Sequence, residues 1–489
     1  MQKIHLKKEP NLSEKHSAFN FQRDAVDAIK NLDYAAVFHE QGLGKTKIAI
    51  DLMFYWLNNK QVDTVIFLTK KSLISNWTDE LKNHTHVKPS ILSQNKSLNY
   101  YVYNSGTRLI LTHFEVILSE MYILKEYFLK TRSVAIIIDE SAKIKNPNSR
   151  ITQALFELSS LFIKKVIMTG TPVANRPEDI WSQIYFLDNG VSLGSDFKTF
   201  KSQCELSNTL VDDINKQQQY EKFISEIFYK IKLFTVRETK ESGIINLPKK
   251  NIISVWTEFE EYQEEMYNSI KDEMQVYITK NGMPILDSNE EILKRIIRLL
   301  QVTTNPRLID ENYNYISGKE TVLHELIERI IDKGEKVIVW TSYIENVEFL
   351  TKILKSYGVV KIHGKIKIHD RNYAIKSFKE DNTVKVLIAT PQSAKEGLTL
   401  TVANNAIFFD RNLSLDDYLQ AQDRIHRISQ KKECNIYVLM IRNSIDSWVD
   451  MLLSSKHISA RLIQGDISSN EFEAQMSYDF GDIIKEVIK

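Results

Sequence analysis

The chain has 489 residues, of which 43% are hydrophobic and 26% are charged, a balance typical of folded globular domains. This composition excludes an intrinsically disordered or fibrous chain for most of the length. The 64 basic and 63 acidic side chains leave a formal net charge of +1, so the whole chain does not indicate a partner of opposite charge. A local basic groove that binds nucleic acid is still compatible with that balance.

Composition also bears on the compartment. No apolar run approaches the roughly 18 residues that a membrane-spanning helix needs, and the N-terminus has no apolar signal segment. The two cysteines, Cys204 and Cys434, lie far apart and form no C-x-x-C pair. This argues against a disulfide framework or a cysteine zinc site. We therefore expect a cytoplasmic protein that has no membrane partner.

Short β-branched runs recur along the chain, and each is followed by a segment with helical periodicity. The first series consists of AAVF from Ala35, TVIFL from Thr64, RLILT from Arg108, VAIIID from Val134 and KVIMT from Lys165. The second series consists of KVIVW from Lys336, KVLIA from Lys385, NAIFF from Asn405 and NIYVLM from Asn435. Nearly continuous apolar strands that alternate with helices predict parallel sheets covered on both faces. The predicted fold class is α/β, with two parallel-sheet lobes in tandem.

Between the two series the strand signals are few and the charges many. The segment EEILKRIIRLLQ, from Glu290, has the apolar stripe of an amphipathic helix. We predict a first lobe over residues 1–240 with a helical protrusion near 190–230. A linker with a second helical protrusion is predicted over 241–315, a second lobe over 316–455, and a helical C-terminal extension over 456–489.

The segment HEQGLGKT, from His39 to Thr46, follows one predicted strand and opens a predicted helix. A glycine-rich turn in this position, here called the phosphate loop (residues 39–44), directs backbone N–H groups toward a phosphate. Lys45 can then reach the β- and γ-phosphates, and the Thr46 hydroxyl can ligate Mg²⁺. The strict pattern G-x-x-x-x-G-K-T lacks its first glycine, because His39 stands there, and Gly42 and Gly44 supply the flexibility.

Two adjacent carboxylates, Asp139 and Glu140, end the predicted strand VAIIID. An aspartate at a strand tip can hold the Mg²⁺ shell, and the glutamate after it can polarise the attacking water. Taken alone, such a pair also caps turns in many proteins. Together with Lys45 upstream, it predicts a site for nucleoside triphosphate hydrolysis.

The segment QAQDRIHRISQ, from Gln420, places Arg424 and Arg427 three residues apart, on one face if the segment is helical. Guanidinium groups that approach a γ-phosphate from outside the phosphate loop stabilise charge in the transition state. A surface helix with a charge pair between Asp423 and Arg427 would show the same pattern. In isolation, the pattern favours the surface helix.

In this order, the segments resemble those of the Swi/Snf-type superfamily-two helicase-like ATPases, which are double-stranded DNA translocases, and especially their minimal bacterial or phage members. The resemblance covers residues 19–455. Further matching segments are DESAKIKN from Asp139, TGTPVANRPEDIWSQIYFL from Thr169, TVRETKES from Thr235, LPKK from Leu247, YQEEMY from Tyr262, NPRL from Asn305 and SGK from Ser317. The resemblance implies two RecA-like lobes, ATP and Mg²⁺ as cofactors, and double-stranded or branched DNA as the partner. It also implies a monomer near the nucleoid of a bacterial or virus-infected cell, with protein partners unspecified.

The resemblance assigns roles residue by residue. Gln22 would read adenine, while Gly42, Gly44, Lys45 and Thr46 would hold the phosphates and, through Thr46, the metal. Asp139 would hold the metal and Glu140 would activate water. Thr169, Gly170 and Thr171 would couple hydrolysis to lobe movement. The second-lobe residues that would complete the site on closure are Gly397, Gln420, Arg424 and Arg427.

The family's DNA-tracking motifs resemble further segments of the chain, which would grip phosphates without reading bases. The residues implied are Lys70, Lys71, Thr112, His113, Thr341, Ser342, His363 and Ser393. For the lysines, a solvated charged face is the alternative interpretation.

Three positions depart from the family pattern. Ala142 takes the histidine position of the DEAH box, Glu238 replaces an arginine of the linker signature, and Ser429 replaces a glycine of the second-lobe motif. These changes bear on coupling and lobe closure. The implied function is an ATP-dependent translocase on double-stranded DNA that remodels protein–DNA complexes or branched DNA. The alternatives are a strand-separating DNA helicase, and a motor or scaffold subunit of a defence or repair complex.

Overall fold

Two parallel sheets organise the part of the chain that the computed structural model describes, which is residues 9–173, 175–204, 213–243, 247–281, 290–394, 399–427 and 429–476. The chain divides into two compact units, each built on one sheet. The first unit comprises residues 1–205, 220–245 and 460–469, and the second comprises residues 206–219, 246–459 and 470–489. The predicted α/β class with two parallel-sheet lobes is confirmed.

The first sheet forms because apolar β-branched runs pair side by side, with every residue of β2 and β4 buried. All pairings are parallel, and the strand order is β3-β4-β2-β5-β6-β1-β7. The strands are β1 Tyr34–Val37, β2 Thr64–Thr69, β3 Ser90–Ile91, β4 Leu109–His113, β5 Val134–Asp139, β6 Lys164–Met168 and β7 Thr235–Val236.

Helices cover this sheet with their apolar sides. The helix after β1, for example, buries Ile48, Leu52 and Trp56 in the core beneath the sheet. The α-helices that precede β7 are α1 Asn20–Ile29, α2 Lys45–Asn58, α3 Ile74–His84, α4 Lys96–Asn104, α5 Phe114–Ser119, α6 Met121–Ile123, α7 Leu129–Thr131, α8 Arg150–Ser159, α9 Trp181–Asp188, α10 Phe197–Cys204 and α11 Ile214–Ile231.

The second sheet is also parallel throughout, in the order β10-β11-β9-β12-β13-β8. Its strands are β8 Lys250–Thr257, β9 Val337–Trp340, β10 Val359–Ile362, β11 Val386–Ala389, β12 Asn405–Phe408 and β13 Cys434–Ile441. The remaining helices are α12 Glu261–Asn281, α13 Glu290–Thr304, α14 Gly318–Asp332, α15 Ile344–Ile353, α16 Ile368–Glu380, α17 Leu415–Gln422, α18 Ile445–Gln464 and α19 Ser469–Gln475.

Strand β8 is a correction to the predicted linker over 241–315. It pairs in parallel with β13, with Lys250 opposite Cys434, and so forms one edge of the second sheet. Its apolar residues do not alternate with polar ones in the way that predicts a half-buried strand. Ile252, Ile253 and Trp256 are exposed at that edge. The pairing depends on a partner far along the chain, which local periodicity does not report.

Helices α12, α13, α17 and α18 contribute to an apolar cluster in the second unit. From the predicted stripe of α13, Ile296, Leu299 and Leu300 are buried in it, whereas Ile297 is 40% exposed. A helix turns about 100° per residue, so Ile297 lies away from the stripe that its neighbours form. The predicted C-terminal extension is helical in α18 and α19, and residues 477–489 lie outside the described residues.

Among the described residues, no helix combines the length and the apolar composition required to cross a membrane.

Truncating Leu299 to alanine should lower the free energy of unfolding of the second unit by about 2–5 kcal/mol, because it empties space in a closed apolar cluster. The matched control is Ile297→Ala on the same helix, whose side chain is 40% exposed. It should change the free energy by less than about 0.5 kcal/mol. Denaturant unfolding of both variants provides the measurement, and equal losses would contradict this description of the cluster.

Candidate functional site

One edge of the first sheet gathers the residues predicted to carry chemistry. The strand order β5-β6-β1 places the ends of these three strands side by side, since carboxyl ends of parallel strands share an edge. Neighbouring strands lie about 4.8 Å apart, so the tips of β1 and β5 are separated by about 10 Å. The phosphate loop follows β1, and Asp139 and Glu140 stand at the end of β5. This spacing suits a phosphate chain with a metal ion between them.

The phosphate loop requires its two glycines. Gly42 and Gly44 have φ angles of 87° and 70°, in the left-handed region that favours glycine. Helix α2 begins at Lys45 directly after them, so its first N–H groups face the loop. The ammonium of Lys45 donates hydrogen bonds to the carbonyl oxygens of His39 at 2.9 Å and Glu40 at 3.3 Å. The half-buried Thr46 lies in the first turn of the helix.

Gln22 on α1 supports this loop from the side. Its buried side chain donates from Nε2 to the carbonyl oxygens of Leu43 at 3.3 Å and Gly44 at 3.4 Å. Its Oε1 accepts a hydrogen bond from the Phe19 N–H at 3.0 Å. A Cβ added to Gly44 would lie 2.2 Å from Gln22 Nε2, so only glycine permits the contact. Gln22 therefore holds the loop, and its role toward adenine stays a prediction.

His39, at the first position of the loop, carries no charge near neutral pH. Burial lowers its pKa to about 4, and the nearby charge of Lys45 acts in the same direction. Its ring stacks on Phe21 with ring centroids 6.1 Å apart. The residue that replaces the first glycine of the strict pattern is thus a neutral packing residue, and the positive charge of the loop region is supplied by Lys45.

Asp139 lies in a dry environment. Burial, followed by the negative charge of Glu140, raises the pKa of its carboxyl from 3.8 to about 6. A hydrogen bond from Trp77 Nε1 to Asp139 Oδ2, at 2.8 Å, and the charge of Lys45 act in the opposite direction. Trp77 also stacks on Phe67, with ring centroids 4.8 Å apart. Its contact with Asp139 joins residues 62 positions apart and has no local signal in the sequence.

These residues fit a magnesium–nucleotide complex. Mg²⁺ is commonly held by one or two hard oxygen ligands from the protein together with substrate phosphates. Asp139 and the Thr46 hydroxyl are donors of this kind, and the left-handed glycines leave the loop backbone open to phosphate oxygens. A divalent cation beside Asp139 would also offset the burial that disfavours its ionised form.

The turn after β6 touches the phosphate loop. A Cβ added to Gly170 would lie 2.5 Å from Gln41 Cγ and 3.0 Å from the Gln41 backbone nitrogen. The Thr171 N–H donates to Thr169 Oγ1 at 3.2 Å, which keeps the turn tight. The segment of Thr169, Gly170 and Thr171 therefore packs directly against the phosphate loop, and its predicted role in coupling hydrolysis to lobe movement stays a prediction.

A buried hydrogen-bond chain connects this turn with the carboxylates, and the sequence analysis missed it. Ser141, next to Glu140, donates to Gln183 Oε1 at 2.8 Å. Gln183 Nε2 in turn donates to the carbonyl oxygens of Pro172 at 2.7 Å and Asp179 at 2.9 Å. The available signal was a glutamine in an otherwise mostly apolar helix, α9. Ala142, at the DEAH histidine position, stands next to Ser141 in this chain.

The second-unit candidates differ from expectation in one respect. Helix α17 ends at Gln422, so Arg424 and Arg427 lie in the turns after it and not on a helical face. Arg424 is buried, and Arg427 donates to Asp423 O at 2.9 Å and to Thr399 Oγ1 at 3.0 Å. Gln420 is buried and donates to Asp416 Oδ1 at 2.6 Å. Gly397 lies outside the described residues.

Most of the candidate DNA contacts are buried and already hydrogen-bonded. Five side chains of this kind are Thr112 with Leu92 O, His113 with Glu115, Thr341 with Asp410, His363 with Glu348, and Ser393 with the carbonyl oxygens of Ile362 and Thr390. Buried polar groups keep their hydrogen-bond partners, because a buried group without a partner has lost its hydrogen bonds to water and gained none in exchange. We retain Lys71, which is exposed, and the half-buried Lys70 and Ser342 as candidates for direct phosphate contacts.

A parallel sheet that ends in a glycine-rich phosphate loop, with paired acids two strands away, defines a P-loop nucleotide-binding unit. The chain belongs to the SNF2-related domain family, whose model matches residues 34–308. The model of the helicase conserved C-terminal domain matches residues 318–429. The two sheets are accordingly the RecA-like lobes of a Swi/Snf-type superfamily-two protein, as the sequence predicted.

Relatives of known name are distant in sequence. An uncharacterised ATP-dependent helicase of Mycoplasma genitalium is 25% identical over 452 residues, covering 89% of this chain and 41% of the relative. An ISWI chromatin-remodelling complex ATPase of Saccharomyces cerevisiae is 25% identical over 433 residues, covering 84% of this chain and 37% of the relative. The chain thus spans about two fifths of the length of these relatives. A solved SWI2/SNF2 ATPase core of Sulfolobus solfataricus in complex with double-stranded DNA aligns at 23% identity and a TM-score of 0.44, covering 98% of this chain and 99% of that one.

The environment of Asp139 predicts an unusual pH dependence of stability. Folding raises the pKa of this carboxyl to about 6, so the folded protein binds the proton more tightly than the unfolded chain does. Its stabilising contribution is present below the unfolded pKa and is lost as pH rises through the folded pKa. We therefore compare the free energy of unfolding of the wild type with that of Asp139→Asn. The wild-type value minus the variant value should decrease as the pH rises from about 4 to about 7.

The control for this prediction is Asp196→Asn in the same unit. Hydrogen bonds from the side chain and backbone of Thr199 lower the pKa of Asp196, which reverses the sign. The same difference for Asp196→Asn should rise with pH. Denaturant unfolding across the pH range gives both values. A difference for Asp139→Asn that stays constant with pH would contradict the dry environment described for this carboxyl.

Proposed function

We propose that this protein is an ATP-hydrolysing translocase on double-stranded DNA that remodels protein–DNA complexes or branched DNA. The observation that carries the proposal is the placement of the phosphate loop and the Asp139–Glu140 pair at one sheet edge, in a chain of the SNF2-related family. Its relatives include an ATP-dependent helicase and a chromatin-remodelling ATPase, which supports the same activity. We place the protein in the cytoplasm, as a monomer.

The first unit would perform the chemistry. Lys45 and the N-terminal N–H groups of α2 bind the phosphates, and Thr46 with Asp139 holds Mg²⁺. When bound, the metal neutralises charge that develops on the phosphate oxygens. Glu140 accepts a proton from the water whose oxygen attacks the terminal phosphorus, and ADP leaves with the bridging oxygen. Gln22 fixes the loop, and we assign it the adenine contact as well.

Movement would be coupled to this chemistry through two sets of residues. In the first unit, Gly170 contacts the phosphate loop, and Gln183 joins the Glu140 turn to the same segment. A movement of the phosphate loop on ATP binding would therefore pass by direct contact to the turn at Gly170, and from there to α9, which carries Gln183. In the second unit, we assign Gln420, Arg424, Arg427 and Gly397 to completing the site during the ATP cycle.

DNA would be held through its phosphates, without base readout. Lys71 and Lys70 stand at the carboxyl end of β2, and Ser342 stands after β9. Contacts of this kind are independent of sequence and weaken steeply with salt.

Replacing Glu140 with glutamine should abolish turnover but not nucleotide binding, because the carboxylate acts on water rather than on ATP. We expect the steady-state ATPase rate to fall at least about a hundredfold, the usual contribution of a general base. ATP affinity should stay within about threefold of the wild-type value. The exposed Glu157 provides the matched control: Glu157→Gln carries the same chemical change in the same unit and should hydrolyse ATP at the wild-type rate.

The wild-type rate with no DNA, with single strands and with duplexes of increasing length tests the translocase itself. Stimulation by duplex that grows with length and then saturates is the result we expect. Stronger stimulation by single strands would replace the proposal by a strand-separating helicase. No hydrolysis with any DNA would leave the alternative of a partner-dependent motor or scaffold subunit. A Glu140→Gln protein with wild-type turnover would overturn the assignment of the base.

Gly44→Ala should weaken ATP binding about tenfold or more, because the new Cβ displaces the Gln22 side chain that holds the loop. The matched control is Gly334→Ala, since Gly334 has a φ angle of 73° and open space around its Cβ position. Both variants bear the backbone strain of a left-handed alanine, and only the first should lose affinity. Fluorescent-nucleotide titration gives the two values. Equal affinity in both would show that the contact with Gln22 does not shape the loop.

A further inference from the structure

Lys70 forms an ion pair with Glu140. Its Nζ lies 3.4 Å from Glu140 Oε2, and the two side chains are 28% and 18% exposed. Strands β2 and β5 are adjacent and parallel, with Leu68 opposite Ile138. That register carries Lys70 to the level of Glu140 at the sheet edge. The contact is thus built into the strand pairing and does not depend on a flexible surface encounter.

The backbone of Glu140 limits how this side chain can respond. Its φ angle is 56°, a left-handed conformation that is uncommon for residues other than glycine. Such conformations cluster at functional sites, where surrounding contacts hold them. The Glu140 N–H donates to Asp139 Oδ1 at 2.9 Å, which anchors the turn. With the backbone fixed, the carboxylate changes direction by side-chain rotation, and Lys70 acts on that rotation.

We propose that Lys70 is a positioning residue that restrains Glu140 until a DNA phosphate takes its ammonium group. This inference rests on the proposed function, because it requires Glu140 to be the base and DNA to be the partner. In the absence of DNA, the ammonium occupies one carboxylate oxygen and turns it away from the attacking water. On DNA, a phosphate competes for Lys70 and releases Glu140. Hydrolysis is thereby kept slow on free protein and accelerated on DNA.

Exchange of partners is physically easy for this pair. A partly exposed ion pair contributes little net free energy, so a phosphate can replace the carboxylate without a large barrier. The restraint on the Glu140 carboxylate is lost when Lys70 turns to DNA. The neighbouring Lys71 is exposed and can bind the same backbone.

The test compares ATPase rates without DNA for the wild type, Lys70→Gln, Lys70→Met and Lys70→Arg. We expect kcat without DNA to rise about threefold or more in the Gln and Met variants, the scale of one partly exposed ion pair. KM for ATP should stay unchanged, because Lys70 does not hold the nucleotide. The stimulation by duplex should shrink by the same factor. Lys70→Arg keeps the pair and should behave as the wild type.

The matched control is Lys125→Gln, which removes a lysine from a pair with Glu157 in the same unit, with Nζ–Oε2 at 3.1 Å. It should leave both rates unchanged. A DNA-free kcat at or below the wild-type value in both the Gln and Met variants overturns the inference. Failure of the proposed function is separate, since it appears in the wild type alone as a lack of stimulation by duplex. Thermal unfolding of each variant shows that the fold is retained.

Discussion

The site depends on the close approach of two turns at the edge of one parallel sheet. The Gly170 turn lies so near the phosphate loop that a single methyl group would collide with Gln41. On its other side the loop is held by Gln22, which leaves no room for a Cβ at Gly44. A loop confined from both sides has few conformations, so its N–H groups are already arranged for a phosphate before one binds. Any displacement by a ligand is passed on to the turn it touches.

The electrostatics of the acid pair follow from the same confinement. Asp139 is half-buried beside a second carboxylate, and desolvation followed by the charge of Glu140 raises its pKa, which Trp77 and Lys45 only partly offset. A carboxyl in this state is poorly stabilised until a cation arrives. Binding of Mg²⁺ with ATP would therefore stabilise the ionised form of Asp139 and lower its pKa. The metal and the nucleotide would bind best together, because the metal supplies positive charge to the carboxylate and the phosphates supply further oxygen ligands to the metal.

Local sequence signals predicted the chemistry better than the long-range contacts. The two parallel sheets, the phosphate loop and the carboxylate pair each have a pattern within a short window, and the fold class and family are confirmed. Strand β8 has no such window, because its pairing with β13 joins residues 184 apart and its apolar side chains face outward. The motif positions of Thr112 and Thr341 suggested DNA contacts, yet burial within the first and second sheets occupies their hydroxyls internally. Sequence patterns mark which segments matter and do not report which way each side chain points.

The two adjacent lysines after β2 show why that distinction matters for regulation. In sequence they are equivalent basic residues of one motif, but the parallel register places Lys70 beside Glu140 and leaves Lys71 in solvent. Under the proposed role of Lys70, both lysines would bind DNA phosphates, and the release of Lys70 from its ion pair would report that event to Glu140. The adjoining Ser141–Gln183 contact carries the response of the same turn toward Pro172. The turn at Glu140 is therefore joined by an ion pair to the residue that follows β2, and by hydrogen bonds through Ser141 and Gln183 to the segment that contacts the phosphate loop.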